Sequence, residues 1–95
     1  MNVYLASSYL NKMYGLITRN FLESNIKNLK ITSSWLDDQL VLGLNERAKH
    51  DFGDIDNSDL LLSIFPIGEG SNAEMGYALG KDMPIIFMVD RLMFL

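Results

Sequence analysis

Leu60-Leu61-Leu62-Ser63-Ile64-Phe65, then Gly68-Glu69-Gly70-Ser71-Asn72-Ala73-Glu74-Met75-Gly76-Tyr77-Ala78-Leu79-Gly80, then Pro84-Ile85-Ile86-Phe87-Met88-Val89 follow one another along the chain. They read as strand, glycine-rich loop, short helix over 73–81, and strand. The nearly unbroken apolar run over 60–65 fits a strand covered on both faces. Pro84 is tolerated at the first position of the strand it opens. A loop of this kind presents backbone N–H groups and a helix N-terminus toward a ligand. Its glycines predict a tight turn with φ > 0, but they do not explain the carboxylate of Glu74 at its mouth.

The same alternation extends upstream. Val3-Tyr4-Leu5-Ala6 is a short buried strand, and Ser7-Ser8 after it can cap a helix. Apolar residues at 10, 13, 14, 17 and 21 fall on a helical period and predict one amphipathic helix over 10–30. Ile31 to Leu36 reads as a second strand, ending before Asp37-Asp38. The segment 39–44 reads as a loop with one helical turn. A weaker helix follows from Asn45 to about Asn57, with Leu44, Ala48 and Ile55 inward and Gly53 weakening it. Strands alternating with helices predict an α/β domain with a small parallel sheet of about four strands in the order 2-1-3-4. That order reverses between strands 1 and 3, and ligands bind outside the carboxyl ends at such a switch point. Those ends carry Ala6-Ser7-Ser8 and residues 65–72, so the two most suggestive loops are expected to face each other.

At 95 residues the chain is expected to form a single domain over 1–95. Apolar residues make up 48% and charged residues 21%, as in ordinary globular proteins. The net charge of −4 argues against a nucleic-acid polymer as the main partner, since such binding runs on clustered Lys and Arg. It does not argue against a single nucleotide. The absence of cysteine excludes disulfides and thiolate metal sites and makes a cytoplasmic setting the expectation. The lone His50 rules out a multi-histidine metal site. No basic segment followed by a long apolar one opens the chain, which predicts no signal peptide. The apolar runs are strand-sized, which predicts no membrane span.

Glu74 is the first candidate for chemistry. A carboxylate in a first helical turn is favoured as the anion, and an ionised carboxylate can attack an anomeric carbon. The same position equally suits a glutamate that only stabilises its helix. Gly68-x-Gly70-x-x-Ala73 matches the loose dinucleotide fingerprint, with Asp90 near the place of its ribose-binding acid. Ser71 and Asn72 can hold a phosphate or sugar oxygen or cap the helix. Tyr4 sits in an apolar strand, and its hydroxyl needs a partner if buried; at the strand's end that partner could be Glu74. Asp51, Asp54, Asp56 and Asp59 form an acidic cluster. It reads mainly as a solvated face, from which one carboxyl could reach a base as proton donor. Trp35 is either a core plug or an aromatic lid over a planar ligand, and His50 reads as surface.

Val3 through Tyr9, Thr32 through Asp37, Asp51 through Leu62, and above all Asn72-Ala73-Glu74-Met75-Gly76-Tyr77-Ala78-Leu79-Gly80 with Pro84-Ile85-Ile86 resemble the nucleoside 2-deoxyribosyltransferase family. The similarity runs in order over nearly the whole chain, and Glu-x-Gly-Tyr-Ala is its most specific piece. The resemblance implies a flavodoxin-like, Rossmann-like three-layer domain acting on the N-glycosidic bond of 2′-deoxynucleosides or their monophosphates. Glu74 would be the nucleophile at C1′, Tyr4 would orient it, and Asp51 would contact the base and assist its protonation. Ser7, Ser8, Trp35, Gly68, Gly70, Ser71 and Asn72 would line the substrate site. No metal or organic cofactor is implied. The partners would be a deoxynucleoside or deoxynucleotide, a nucleobase, and further copies of the chain in a homo-oligomer. A transferase would pass the sugar to a second base; a hydrolase relative would pass it to water. A non-catalytic nucleotide-binding module is the alternative. The family often places an acid in the loop before the nucleophile. Here the nearest is Glu69, at a different spacing, and the chain stops soon after the fourth strand.

Overall fold

The computed structural model describes residues 1–8, 12–37, 43–64 and 69–88. Four strands, β1 (Asn2–Ala6), β2 (Lys30–Ile31), β3 (Leu60–Ile64) and β4 (Ile85–Met88), form one parallel sheet in the order β2-β1-β3-β4. Three α-helices connect them: α1 (Lys12–Asn25), α2 (Leu44–Asp56) and α3 (Glu69–Gly80). The predicted α/β class and strand order are therefore both found.

Register decides what each face carries. Tyr4 pairs with Leu61, Leu5 with Leu62 and Ala6 with Ser63, all in parallel. Side chains alternate along a strand, so Leu5 and Leu62 share one face while Tyr4, Ala6, Leu61 and Ser63 share the other. Leu5 packs toward α1, where a Cβ on Gly15 would lie 3.3 Å from Leu5 Cδ2 and 2.8 Å from Leu36 Cδ2. Gly15 is thus a point of close approach between α1 and the core beneath it. The opposite face meets α2 and α3, giving three layers. Tyr4, Leu5, Ala6, Ile55, Leu61, Ile64 and Ala78 are fully buried among them.

Several boundaries differ from the sequence expectation. α1 ends at Asn25 rather than near Lys30. The Asn25 amide donates back to the Phe21 carbonyl, and the chain turns through Asn28 at φ 64° to reach the sheet. β2 has two residues, not six. Serine side chains replace its ladder: Ser33 Oγ accepts from the Leu5 N–H and donates to the Leu5 carbonyl. The Ser34 N–H and hydroxyl both donate to Asp54. Such side-chain bonds offer the backbone an alternative to strand pairing, and Ser34–Leu36 accordingly forms a 3₁₀ turn. α3 begins at Glu69, four residues before the expected start. Gly70, Ser71 and Asn72 are therefore helical, not loop, and no described glycine has positive φ. α2 and β3 lie within one residue of expectation, and β4 begins one residue later. Phe65, Gly68, Val89 and Asp90 lie outside the described residues, as do the Leu44 side chain and most of the 39–44 segment. Among the described residues no helix is long and apolar enough to cross a membrane.

Candidate active site

α3 turns Ser71, Glu74 and Ala78 toward the sheet, all of them buried. Spacings of three and four place these residues on one helical face. β1 presents Tyr4 to that face, and the Tyr4 hydroxyl donates to Glu74 Oε2. α2 brings Asp51 to the same point, where its carboxyl lies close enough to that of Glu74 for each to shift the other. Three residues far apart in sequence thus meet as Tyr4–Glu74–Asp51, beneath α3 and α2.

The electrostatics follow from burial. Glu74 is 7% exposed, and desolvation pushes its carboxyl up to about 8, with the Tyr4 hydrogen bond pulling it down and Asp51 pushing it further up. Desolvation also raises Asp51, against its hydrogen bond with Glu74 and the charge of Arg47. Burial likewise raises Tyr4 well above the ordinary phenol range, so it is a fixed donor. Two adjacent carboxyls cannot both ionise cheaply in such a place. Burial and the neighbouring carboxyl therefore both favour the protonated form of Glu74, against the Tyr4 hydrogen bond. This reverses the anion expected of Glu74 from sequence. As the sixth residue of α3 it lies beyond the first turn, where the helix dipole fades, so burial dominates.

The remaining candidates separate. Ser71 is 1% exposed, and its hydroxyl has no partner among the described residues. Asn72 is exposed, and Gly70, one turn before Glu74, is exposed too, with nothing within 4 Å of the place a Cβ would take. Ser7 is buried at the end of β1, its hydroxyl donating to the Ser8 carbonyl at 3.3 Å, and Ser8 is half-buried. Trp35 lies on the α1 side, buried, its indole N–H donating to the Leu5 carbonyl at 3.0 Å. The core-plug alternative describes its place, and the ring is no lid over Glu74. Gly68 falls outside the described residues. Of the acidic cluster only Asp51 enters the site. Asp54 holds Ser34, Asp59 accepts from the Asn2 N–H, and Asp56 pairs with Tyr77 and Lys81. His50 is exposed, as expected. Among the described residues no group of three or more His, Cys, Asp or Glu could hold a metal ion.

One buried polar residue beside these was missed from sequence. Ser63 is fully buried, with no hydrogen-bond partner for its hydroxyl, on the Tyr4 face of β3. Its signal was a lone hydroxyl inside an otherwise apolar strand.

No protein-family model matches the chain, and no curated protein matches it in sequence. Solved structures do. A 2-deoxyribosyltransferase from Leishmania mexicana superposes with a TM-score of 0.73 at 15% identity, over 93% of this chain and 63% of that one. The CMP N-glycosidase BcmB of Clostridium botulinum superposes with a TM-score of 0.64 at 23% identity, over 94% of this chain and 69% of that one. The chain thus spans somewhat under two thirds of the transferase's length. By these superpositions the chain has the α/β fold of the nucleoside 2-deoxyribosyltransferase family.

Proposed function

We propose that this chain cleaves or exchanges the N-glycosidic bond of a nucleoside or its 5′-monophosphate through Glu74. The carrying observation is the buried Tyr4–Glu74–Asp51 constellation, whose two carboxyls, both pushed up by burial, we read as sharing one proton. As substrate enters, that proton moves to Asp51, and ionised Glu74 attacks C1′ from the face opposite the base. The C1′–N bond breaks, its electron pair stays on the base, and Asp51 delivers the proton there. A glycosyl ester on Glu74 remains. A second base or water then attacks C1′, Asp51 takes its proton, and Glu74 leaves as the carboxylate. The Tyr4 hydroxyl orients the carboxylate throughout. The resemblance implies a 2′-deoxyribosyl group; the superposition on a CMP N-glycosidase supports the hydrolytic variant of the same step.

Apolar residues exposed on α1, namely Met13, Ile17 and Phe21 at four-residue spacing, support the reading that the working form is a homo-oligomer. The test is chromatography after incubation with nucleosides and their monophosphates, with and without added free base, alongside Glu74→Ala. Base released only by the unaltered protein supports cleavage, and a new nucleoside with added base makes it transfer. Base release by Glu74→Ala sinks the mechanism. Ligand binding without any release leaves a non-catalytic nucleotide-binding module.

A further inference from the structure

Four side chains outside the constellation join α2 to α3. The Phe52 and Tyr77 rings stack with centroids 4.4 Å apart and planes 14° from parallel. The Tyr77 hydroxyl donates to Asp56 Oδ1 at 2.8 Å, and Lys81 Nζ donates to the same oxygen. Lys81 Nζ also stands 5.4 Å from the centre of the Tyr77 ring. The rings are half-buried, and Asp56 and Lys81 are exposed. Lys81 and then Tyr77 hold the Asp56 carboxyl below the ordinary carboxylate range, and Asp56 raises both of them in return. The clamp therefore keeps its charges across the neutral range.

Helix periodicity ties this clamp to the site. Residues four apart share a helix face. Asp51 and Ile55 form a buried row of α2, and Phe52 and Asp56 form the next row around the helix. On α3 the buried row is Glu74 and Ala78; its neighbour is Tyr77, continued by Lys81 one residue beyond the helix. The inner rows bring the Asp51 and Glu74 carboxyls together, and the outer rows hold each other. Phe52 follows Asp51 directly, and Tyr77 lies one turn after Glu74. A movement that parted α2 from α3 would part both rows at once.

That parting has a driving force. Two adjacent carboxyls repel as soon as both ionise, and Asp54 of α2 adds to the same field. A single exposed ion pair does little against it. Here a carboxylate, an ammonium and two stacked rings close into one network across one helix–helix joint.

We propose that Phe52, Asp56, Tyr77 and Lys81 are positioning residues, which fix the spacing of α2 and α3 and through it the contact between Asp51 and Glu74. Their consequence for catalysis rests on the N-glycosidic reading above; their effect on the two carboxyls does not.

The side chains that shift Glu74 directly are Tyr4 of β1 and Asp51 and Asp54 of α2. Arg47, Asp54 and His50, all of α2, act on Asp51. Loosening the clamp admits water and moves Asp51 away, and both changes lower the pH at which Glu74 ionises. Removing the Lys81 cation without any movement would raise it, because a positive charge favours the carboxylate. Lys81→Met therefore gives opposite signs for positioning and for a direct charge effect.

The test follows the Glu74 carboxyl by carbon NMR through a pH titration of the whole chain, without substrate. Lys81→Met and Tyr77→Phe are each expected to lower its midpoint from about 8 by about one pH unit, whereas Lys81→Arg keeps it. Gly15→Ala, which crowds Leu36 on the other side of the sheet, is expected to lose thermal stability and leave the midpoint in place. With a nucleoside that the parent cleaves, kcat should fall about tenfold in the two clamp variants while KM stays. A midpoint that stays or rises in Lys81→Met and Tyr77→Phe, or that Gly15→Ala lowers as far, overturns the positioning role. A lowered midpoint with kcat unmoved overturns its part in catalysis. No base release by the parent overturns the N-glycosidic reading, and the NMR titration still decides the clamp.

Discussion

Replacing Glu74 by glutamine tests the proton between the two carboxyls without any substrate. The glutamine carbonyl can accept from Tyr4 and its amide can donate to Asp51, as the protonated glutamate does. An acid whose folded value lies above its ordinary one holds a proton in the fold that the unfolded chain releases. For Glu74 the two values are about 8 and 4.5. Below pH 4.5 both states are protonated and the group is silent. Between 4.5 and 8 the unfolded chain ionises first, so stability falls as pH rises. Above 8 the loss is complete. At about 1.36 kcal/mol per pH unit the gap corresponds to roughly 5 kcal/mol as a ceiling, shared with the coupled Asp51. Glu74→Gln removes the titration. Urea unfolding at pH 5 and pH 9 is expected to show similar stabilities at pH 5. At pH 9 the variant should exceed the parent by at least 2 kcal/mol, about 40% of that ceiling. Parallel pH profiles for the two proteins would refute a proton held at Glu74.

Tyr4→Phe removes the donor that favours ionised Glu74. The ascending limb of the pH–rate profile should then move to higher pH, with kcat/KM down about tenfold, equivalent to ~1.4 kcal/mol; an unmoved limb argues against the contact. Gly15→Ala places a methyl 2.8 Å from Leu36 Cδ2, and overpacking of about 1–3 kcal/mol should outweigh the ~1 kcal/mol gained in helix propensity. Gly53→Ala meets nothing within 4 Å and should stabilise α2 by about 0.5–1 kcal/mol. Melting temperatures of the two variants should therefore shift in opposite directions.

The sheet was legible because apolar runs of strand length recur between helical periods, and the order 2-1-3-4 follows from short parallel crossovers. What escaped was decided by side-chain hydrogen bonds. Ser33 and Ser34 look like strand residues but spend their hydroxyls on Leu5 and Asp54, which cuts β2 to two residues. Gly70, before Glu74, looks like a loop residue but belongs to the first turn of α3, where glycine at a helix start costs little. An apolar run also does not specify cover: Ile86 and Phe87 of β4 are 52% and 58% exposed. In the site, Tyr4, Glu74 and Asp51 were all named from sequence, since a tyrosine in a buried strand and a glutamate beside glycines both demand explanation. Their shared proton was not, because desolvation depends on layers that only the fold supplies. Ser63 was missed because one serine in a strand is unremarkable until its hydroxyl is found without a partner.

The Tyr4–Glu74 hydrogen bond joins residues 70 positions apart. Closing so long a loop carries an entropic cost that only the docked sheet and helix repay. The site is therefore not a local motif that any fragment retains. A chain released after β3 contains Tyr4 and Asp51 but not Glu74, and one lacking its first few residues contains Glu74 without its hydroxyl donor. On a ribosome the constellation can form only once α3 has emerged and closed back onto the first strand. Any clip or nick that frees β1 should break the constellation together with the sheet, because β1 pairs with both β2 and β3.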